Sequence, residues 1–142
     1  KKILYDIFLE MINNDFKFFP SKDSFWKLLF YDLGTLKPLP KRINKEVNNC
    51  TGCTAIYKYF AVLADGTIYN CRRLPKKIGE FPKDDLVDVY FNNTFVNKLR
   101  NIDNFEKCQN CELKFFCKGC PAVANGYYGD PFAADPNCWK DI

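Results

Sequence analysis

The sequence predicts an α+β domain, and three observations predict it. Apolar residues recur at helical spacing in the first third of the 142 residues. An aromatic and β-branched stretch then closes on an Asp-Gly turn, and eight cysteines are confined to the last two-thirds. The expected architecture is N-terminal helices, a β-hairpin, two short helices and a cysteine-rich loop region. With 47% hydrophobic and 27% charged residues, the chain is long enough for one packed core. Twenty-one basic against 17 acidic side chains give +4, too mild for a nucleic-acid binder. The complete absence of histidine excludes Ser-His-Asp and Cys-His catalysis, His-ligated zinc and a His proton relay. No apolar run approaches the roughly 18 residues of a membrane helix, so no membrane partner is expected. The opening residues Lys1 to Asp6 carry no signal-peptide cleavage site. Starting without Met, the chain is expected to be a piece of a longer protein.

Each element has its own signal. Over residues 1–19, Ile3, Leu4, Ile7, Phe8, Met11 and Ile12 form one apolar stripe, and Pro20 stops the helix. Ser21 can cap a second helix through Leu33, apolar nearly all round, with Gly34 placed to end it. Residues 34–49, with two prolines and several charges, read as a connector. Strand chemistry runs from Ala55 to Leu63 and resumes at Thr67-Ile68-Tyr69 after the turn Ala64-Asp65-Gly66. Pro75 and Gly79 mark a loop. Helical spacing returns at Asp84, with Leu86, Val89 and Tyr90, then Phe95, Leu99 and Ile102. Asn92-Asn93-Thr94 separates two short helices, Thr94 capping the second. After Phe105 the chain reads as loop.

Three readings compete for Cys50, Cys53, Cys71, Cys108, Cys111, Cys117, Cys120 and Cys138. A secreted disulfide framework suits the even count but not the missing secretion signal or the clustered C-x2-C pairs. Two structural zinc sites suit the count of eight thiolates and the pairs Cys50/Cys53 and Cys108/Cys111. The lone Cys71 and Cys138 fit zinc less well. Two iron–sulfur clusters suit closely spaced cysteines on one loop joined by distant ones. Cys120 is followed by Pro121, and a terminal Cys-Pro marks a ligand that crosses to the other cluster in two-cluster ferredoxins. Two cores with eight thiolates add about −4, bringing the domain near neutrality.

Cys53-x12-Gly66-x4-Cys71, then Cys108-x2-Cys111-x5-Cys117-x2-Cys120, then Cys138 resembles the seven-cysteine signature of SPASM domains. These are the C-terminal auxiliary-cluster regions of radical SAM enzymes that modify peptides and proteins. The phrases Cys117-Lys118-Gly119-Cys120-Pro121 and Asp135-Pro136-Asn137-Cys138 are similar to the tail of that family. The departure is the two-residue gap between Cys117 and Cys120, where three is commoner.

The resemblance implies two 4Fe-4S clusters. Cluster I would take Cys53, Cys71 and Cys120 with Cys50 as its upstream ligand; cluster II would take Cys108, Cys111, Cys117 and Cys138. It implies residues 1–49 as a helical segment and linker to a radical SAM barrel, and residues 50–142 as the auxiliary-cluster domain. The implied partners are that barrel, a peptide or protein substrate and an electron-donor protein, in a cytoplasmic maturase. No C-x3-C-x2-C motif occurs here, so S-adenosylmethionine would bind only in the parent's other domain and no catalytic residue is expected in this chain. The rival function is a zinc-stabilised interaction module without redox activity.

Several other residues have a bland and a functional reading. Arg72 and Arg73 read as solvated strand-end arginines or as cations beside a cluster. Tyr57, Tyr59 and Tyr69 read as hairpin packing or as electron-transfer residues. Asp130, Asp135 and Asp141 read as turn residues or as acids and bases. Phe115 and Phe116 would shield a cluster from water.

Overall fold

A computed structural model of the chain describes residues 2–13, 32, 34, 53, 55, 57–114 and 117–140. Its elements are those of an α+β domain: helices and a three-stranded antiparallel sheet in the order β1-β2-β3. Helix α1 spans Lys2–Asn13 and leaves Ile3, Ile7 and Leu9 exposed. The expected continuation to residue 19 and the second helix from Ser21 lie outside the described residues. Gly34, the expected stop, has a φ of 69°. Among the described residues no helix is long and apolar enough to cross a membrane.

The expected hairpin forms, shorter on its first arm. Strand β1 is Ala61–Val62 and β2 is Thr67–Cys71, with Ala61 opposite Tyr69 and Val62 opposite Ile68. The Asp-Gly signal works through two devices. Asp65 Oδ1 accepts from Thr67 N at 2.9 Å. Gly66 sits at φ +85°, where a Cβ would come within 2.2 Å of the Phe81 carbonyl oxygen.

The supposed loop at Pro75 and Gly79 is instead a third strand, β3, Leu74–Glu80. Both residues have reasons other than turning. Pro75 is exposed on an edge strand, where a missing N–H costs no ladder bond. Gly79 is buried because a Cβ there would stand 2.9 Å from Val89 Cγ2 and 3.3 Å from Ile68 Cδ1. The glycine lets strand and helix close together. Register shifts fall between Ile68 and Tyr69 and between Tyr69 and Cys71, so β2 re-aims its side chains just before the cysteine.

Helices α2, Leu86–Asn92, and α3, Thr94–Arg100, break where the sequence predicts. The cap is a different residue. Asn93, not Thr94, accepts from Phe95 N and Val96 N at 3.0 and 3.1 Å. Its amide also donates to the Ile78 carbonyl at 2.9 Å, which pins the helix pair to β3. The Asn93 amide is acceptor and donor at once, so one side chain both caps the helix and ties it to the sheet.

Ile68, Ile78, Val89 and Val96 form the core between sheet and helices. A second core of Leu74, Leu99 and Phe105 takes in Tyr57, Phe95 and Phe132, and Cys71 and Cys108 pack against it. The chain after Phe105 is not all loop. It makes a 3-10 turn at Cys108–Asn110 and helix α4, Pro121–Tyr128. Pro121 occupies the first turn, and Gly129, at φ 76°, ends the helix. The Cys-Pro step therefore has a plain role as a helix start.

The capping assignment yields a stability test. Asn93→Ala should cost about 1–2 kcal/mol, whereas Thr94→Ala, at an exposed position, should stay within about 0.5 kcal/mol. Denaturant melts of the two variants check this, and equal losses would contradict it.

Candidate metal centres

Seven of the eight cysteines are described, and all seven are free thiols. Cys50 lies outside the described residues. Cys53 precedes the sheet and Cys71 ends β2. Cys108 and Cys111 bracket a 3-10 turn, Cys117 is buried, and Cys120 caps α4.

They form two electrostatic neighbourhoods. The Cys53 thiol is pushed up, first by burial and then by Cys120 and Cys71. The Cys108 thiol is pushed up to about 12, first by burial and then by Cys117, Cys138 and Cys111. The second four line one recess together with Lys107, Asp135 and Lys140. Thiols gathered this way resist ionising in each other's company, and a bound cationic centre removes that resistance.

The backbone is arranged for sulfur acceptors. Arg73 N donates to Cys71 Sγ, Leu113 N to Cys111 Sγ and Gly119 N to Cys117 Sγ, each at 3.4 Å. Ala55 N–H does the same for Cys53. In every case the donor lies two residues after the cysteine. Such bonds favour the thiolate, the form that binds metal. The donor set therefore fits a thiolate-ligated group. Among the described residues, no three His, Cys, Asp or Glu side chains stand close enough to hold a single metal ion.

Asp135 does more than turn the chain. Its carboxylate is buried, accepting Asn137 N at 2.9 Å through Oδ1 and Cys120 N at 2.8 Å through Oδ2. Its carbonyl accepts Cys138 N at 2.9 Å. One residue thus fixes a cysteine from each neighbourhood. Gly119 makes room for it, since a Cβ there would lie 2.8 Å from Asp135 Cβ. The C-terminal end is strapped down by Asp32, which receives the Trp139 indole N–H at 2.9 Å and the Lys140 ammonium at 3.2 Å.

The remaining expectations sort by burial. Arg72 and Arg73 are exposed, and Asp130 makes a turn by accepting Phe132 N at 2.9 Å. Tyr57 packs in the second core and donates to the Arg100 carbonyl at 3.1 Å, while Tyr59 is exposed. Phe115, Phe116 and Asp141 lie outside the described residues. Sequence reading missed Lys118, which is buried; a lysine between two cysteines carries no pattern that announces burial.

Asp135→Ala removes an acceptor from two backbone N–H groups and should destabilise the metal-free chain by about 2–3 kcal/mol. Chemical denaturation without metal measures this apart from any ligand effect; an unchanged midpoint would contradict it.

Comparison with known proteins places these cysteines in context. Residues 46–112 match the SPASM family model, described as an iron–sulfur cluster-binding domain. The matched segment contains Cys50, Cys53, Cys71, Cys108 and Cys111, and Cys117, Cys120 and Cys138 lie beyond it. The chain is also 30% identical over 88 residues to the AdoMet-dependent heme synthase of Methanosarcina barkeri (strain Fusaro / DSM 804). That alignment covers 61% of this chain and 25% of the relative, so it spans a quarter of the relative's length. No solved structure matches the chain.

Proposed function

We propose that this chain, whose residues 46–112 belong to the SPASM iron–sulfur cluster-binding family, is the auxiliary-cluster part of a radical SAM enzyme. It binds two 4Fe-4S clusters. Cluster I sits on Cys50, Cys53, Cys71 and Cys120, and cluster II on Cys108, Cys111, Cys117 and Cys138. The observation that carries the reading is the single recess lined by Cys108, Cys111, Cys117 and Cys138, and the Cys53 thiol, raised by burial and then by Cys120 and Cys71, supports the second group. The relative's AdoMet dependence, given in its name, supports a parent enzyme that uses S-adenosylmethionine. Residues 1–49 then lead from its barrel, and the maturase is cytoplasmic.

When bound, the clusters supply one-electron transfer. The chain's own residues prepare for it. Backbone N–H groups donate to the sulfurs of Cys71, Cys111 and Cys117, Asp135 ties the Cys120 and Cys138 segments together, and Cys71 and Cys108 pack against the Leu74–Leu99–Phe105 core. Held by these cysteines, the clusters would pass electrons to or from the radical site or seat the substrate, which in this reading is a peptide or protein. The relative's name favours a second substrate reading, in which the parent enzyme makes haem. The product formed by the full-length parent separates the two.

Chain loaded strictly without oxygen should contain close to eight iron and eight sulfide, since eight thiolates saturate two cubanes. Two zinc and no sulfide would instead establish the zinc-stabilised interaction module. Within cluster I, Cys50 decides between relay and substrate ligation. As the fourth ligand it closes the cluster and leaves no iron open to a substrate sulfur. Cys50→Ala should therefore lower the iron content or make the cluster spectrum newly responsive to added small thiols. Full iron with the parent's thiol response would remove Cys50 from the ligand set.

A further inference from the structure

The connection between β2 and β3 carries two side chains that neither the fold nor the cysteine set accounts for. Cys71 stands opposite Leu74, so the strands are joined by just Arg72 and Arg73. Two-residue hairpin turns favour Gly, Asn and Asp, so turn-making does not explain an arginine pair. Packing does not explain it either, because both residues are exposed. Among the described residues, neither guanidinium has a hydrogen bond or an ion pair.

Positive charge is left unmatched at this end of the strand. From Cys71 to Lys77 the chain carries four basic residues and no acid. Lys77 is paired with Glu80 at 2.7 Å, and Lys83 meets the same carboxylate. Glu80 ends β3, about 20 Å from Leu74 by strand rise. Lys76, two residues past Leu74, is exposed, with Nζ 5.8 Å from the centroid of the Phe95 ring. The turn is also joined to a sulfur: Arg73 N donates to Cys71 Sγ at 3.4 Å, so one hydrogen bond separates the exposed turn from a proposed ligand of cluster I.

Shape decides what such a surface takes. Small ligands need a concave site that buries most of their area. A hairpin tip is convex, and neither arginine lines the recess of Cys108, Cys111, Cys117 and Cys138. Exposed cations on a convex surface suit a brief encounter steered by opposite charge, and electron-transfer pairs belong to that small-interface class.

We propose that Arg72, Arg73 and Lys76 form the docking surface for an acidic one-electron carrier protein, which exchanges electrons with cluster I at the Cys71 turn. The inference rests on the two-cluster reading. In the exchange the carrier loses one electron and the cubane gains it, or the reverse, with no bond made and no proton moved.

The test uses the full chain loaded anaerobically with iron and sulfide, and an acidic plant-type ferredoxin as the carrier. Surface plasmon resonance measures association of the oxidised ferredoxin at low salt and at about 0.2 M salt, where charges are screened within about 10 Å. Rapid-freeze electron paramagnetic resonance follows electron transfer, with mixing in both directions because one of them is downhill. Arg72→Gln/Arg73→Gln should keep the parent's iron, weaken low-salt association about tenfold, flatten its salt dependence and slow the downhill transfer. Arg72→Lys/Arg73→Lys retains the charge and should stay within about twofold of the parent. Lys2→Gln/Lys83→Gln removes the same charge from exposed positions on α1 and beyond β3, and should also stay near the parent. A parent chain that binds no ferredoxin at low salt, or passes no electron in either direction, would overturn the proposal. So would a glutamine pair at the turn that behaves as the parent, or one no weaker than the pair at Lys2 and Lys83. A chain that takes up no sulfide fails the cluster reading itself, a separate result obtained before any ferredoxin is added.

Discussion

The buried carboxylate of Asp135 is the constraint on which the cysteine-bearing half of the molecule depends. A carboxylate is rarely removed from water without a full set of donors. Here Cys120 N and Asn137 N supply them, while the residue's carbonyl takes Cys138 N. The three contacts tie the start of α4 to the C-terminal loop. They also leave no room for a Cβ at Gly119. The knot adds to apolar anchors on both sides, since Pro121 and Ala124 after Cys120 are buried and Cys138 and Trp139 pack against Leu113 and Cys117.

The sheet performs the same service for the other end of the site by different means. Cys71 closes β2, where the inward side chains are Ile68 and Asn70 and the register shifts before the cysteine. The strand thereby delivers Cys71 to the Leu74–Leu99–Phe105 core rather than to the Ile68–Val89–Val96 core. Asn93 secures the helices that cover both cores by binding β3 through Ile78. Local hydrogen bonds thus fix the positions, and apolar packing supplies the driving force.

How far the sequence could be read depended on whether a signal was local. Asp65-Gly66 announces its turn, and the break at Asn92–Thr94 separates two helices because short-range capping chemistry decides both. The cysteine spacing was legible for the same reason, and the SPASM match over residues 46–112 bears out the family it pointed to. Pro75 and Gly79 misled because their reasons are tertiary: an open sheet edge and a close approach to Val89. Helix α4 was hidden behind a Cys-Pro step that suited two explanations. Asp135 read correctly as a turn residue, since it does accept Asn137 N, but its second bond reaches back fifteen positions to Cys120. No local pattern encodes that.

The two buried charges complete the argument. Asp135 and Lys118 are both placed among cysteines, yet the fold treats them differently. Asp135 is satisfied by backbone N–H groups whose positions it fixes, so its role is structural even with no metal present. Lys118 is held by a carbonyl, a hydroxyl and two rings. These groups suit an ammonium, as the backbone N–H groups around Asp135 suit a carboxylate. A core that needed only volume at that point would be served by methionine. Each buried charge therefore sits in surroundings matched to its sign, and in both cases hydrogen bonds from or to the backbone do the matching.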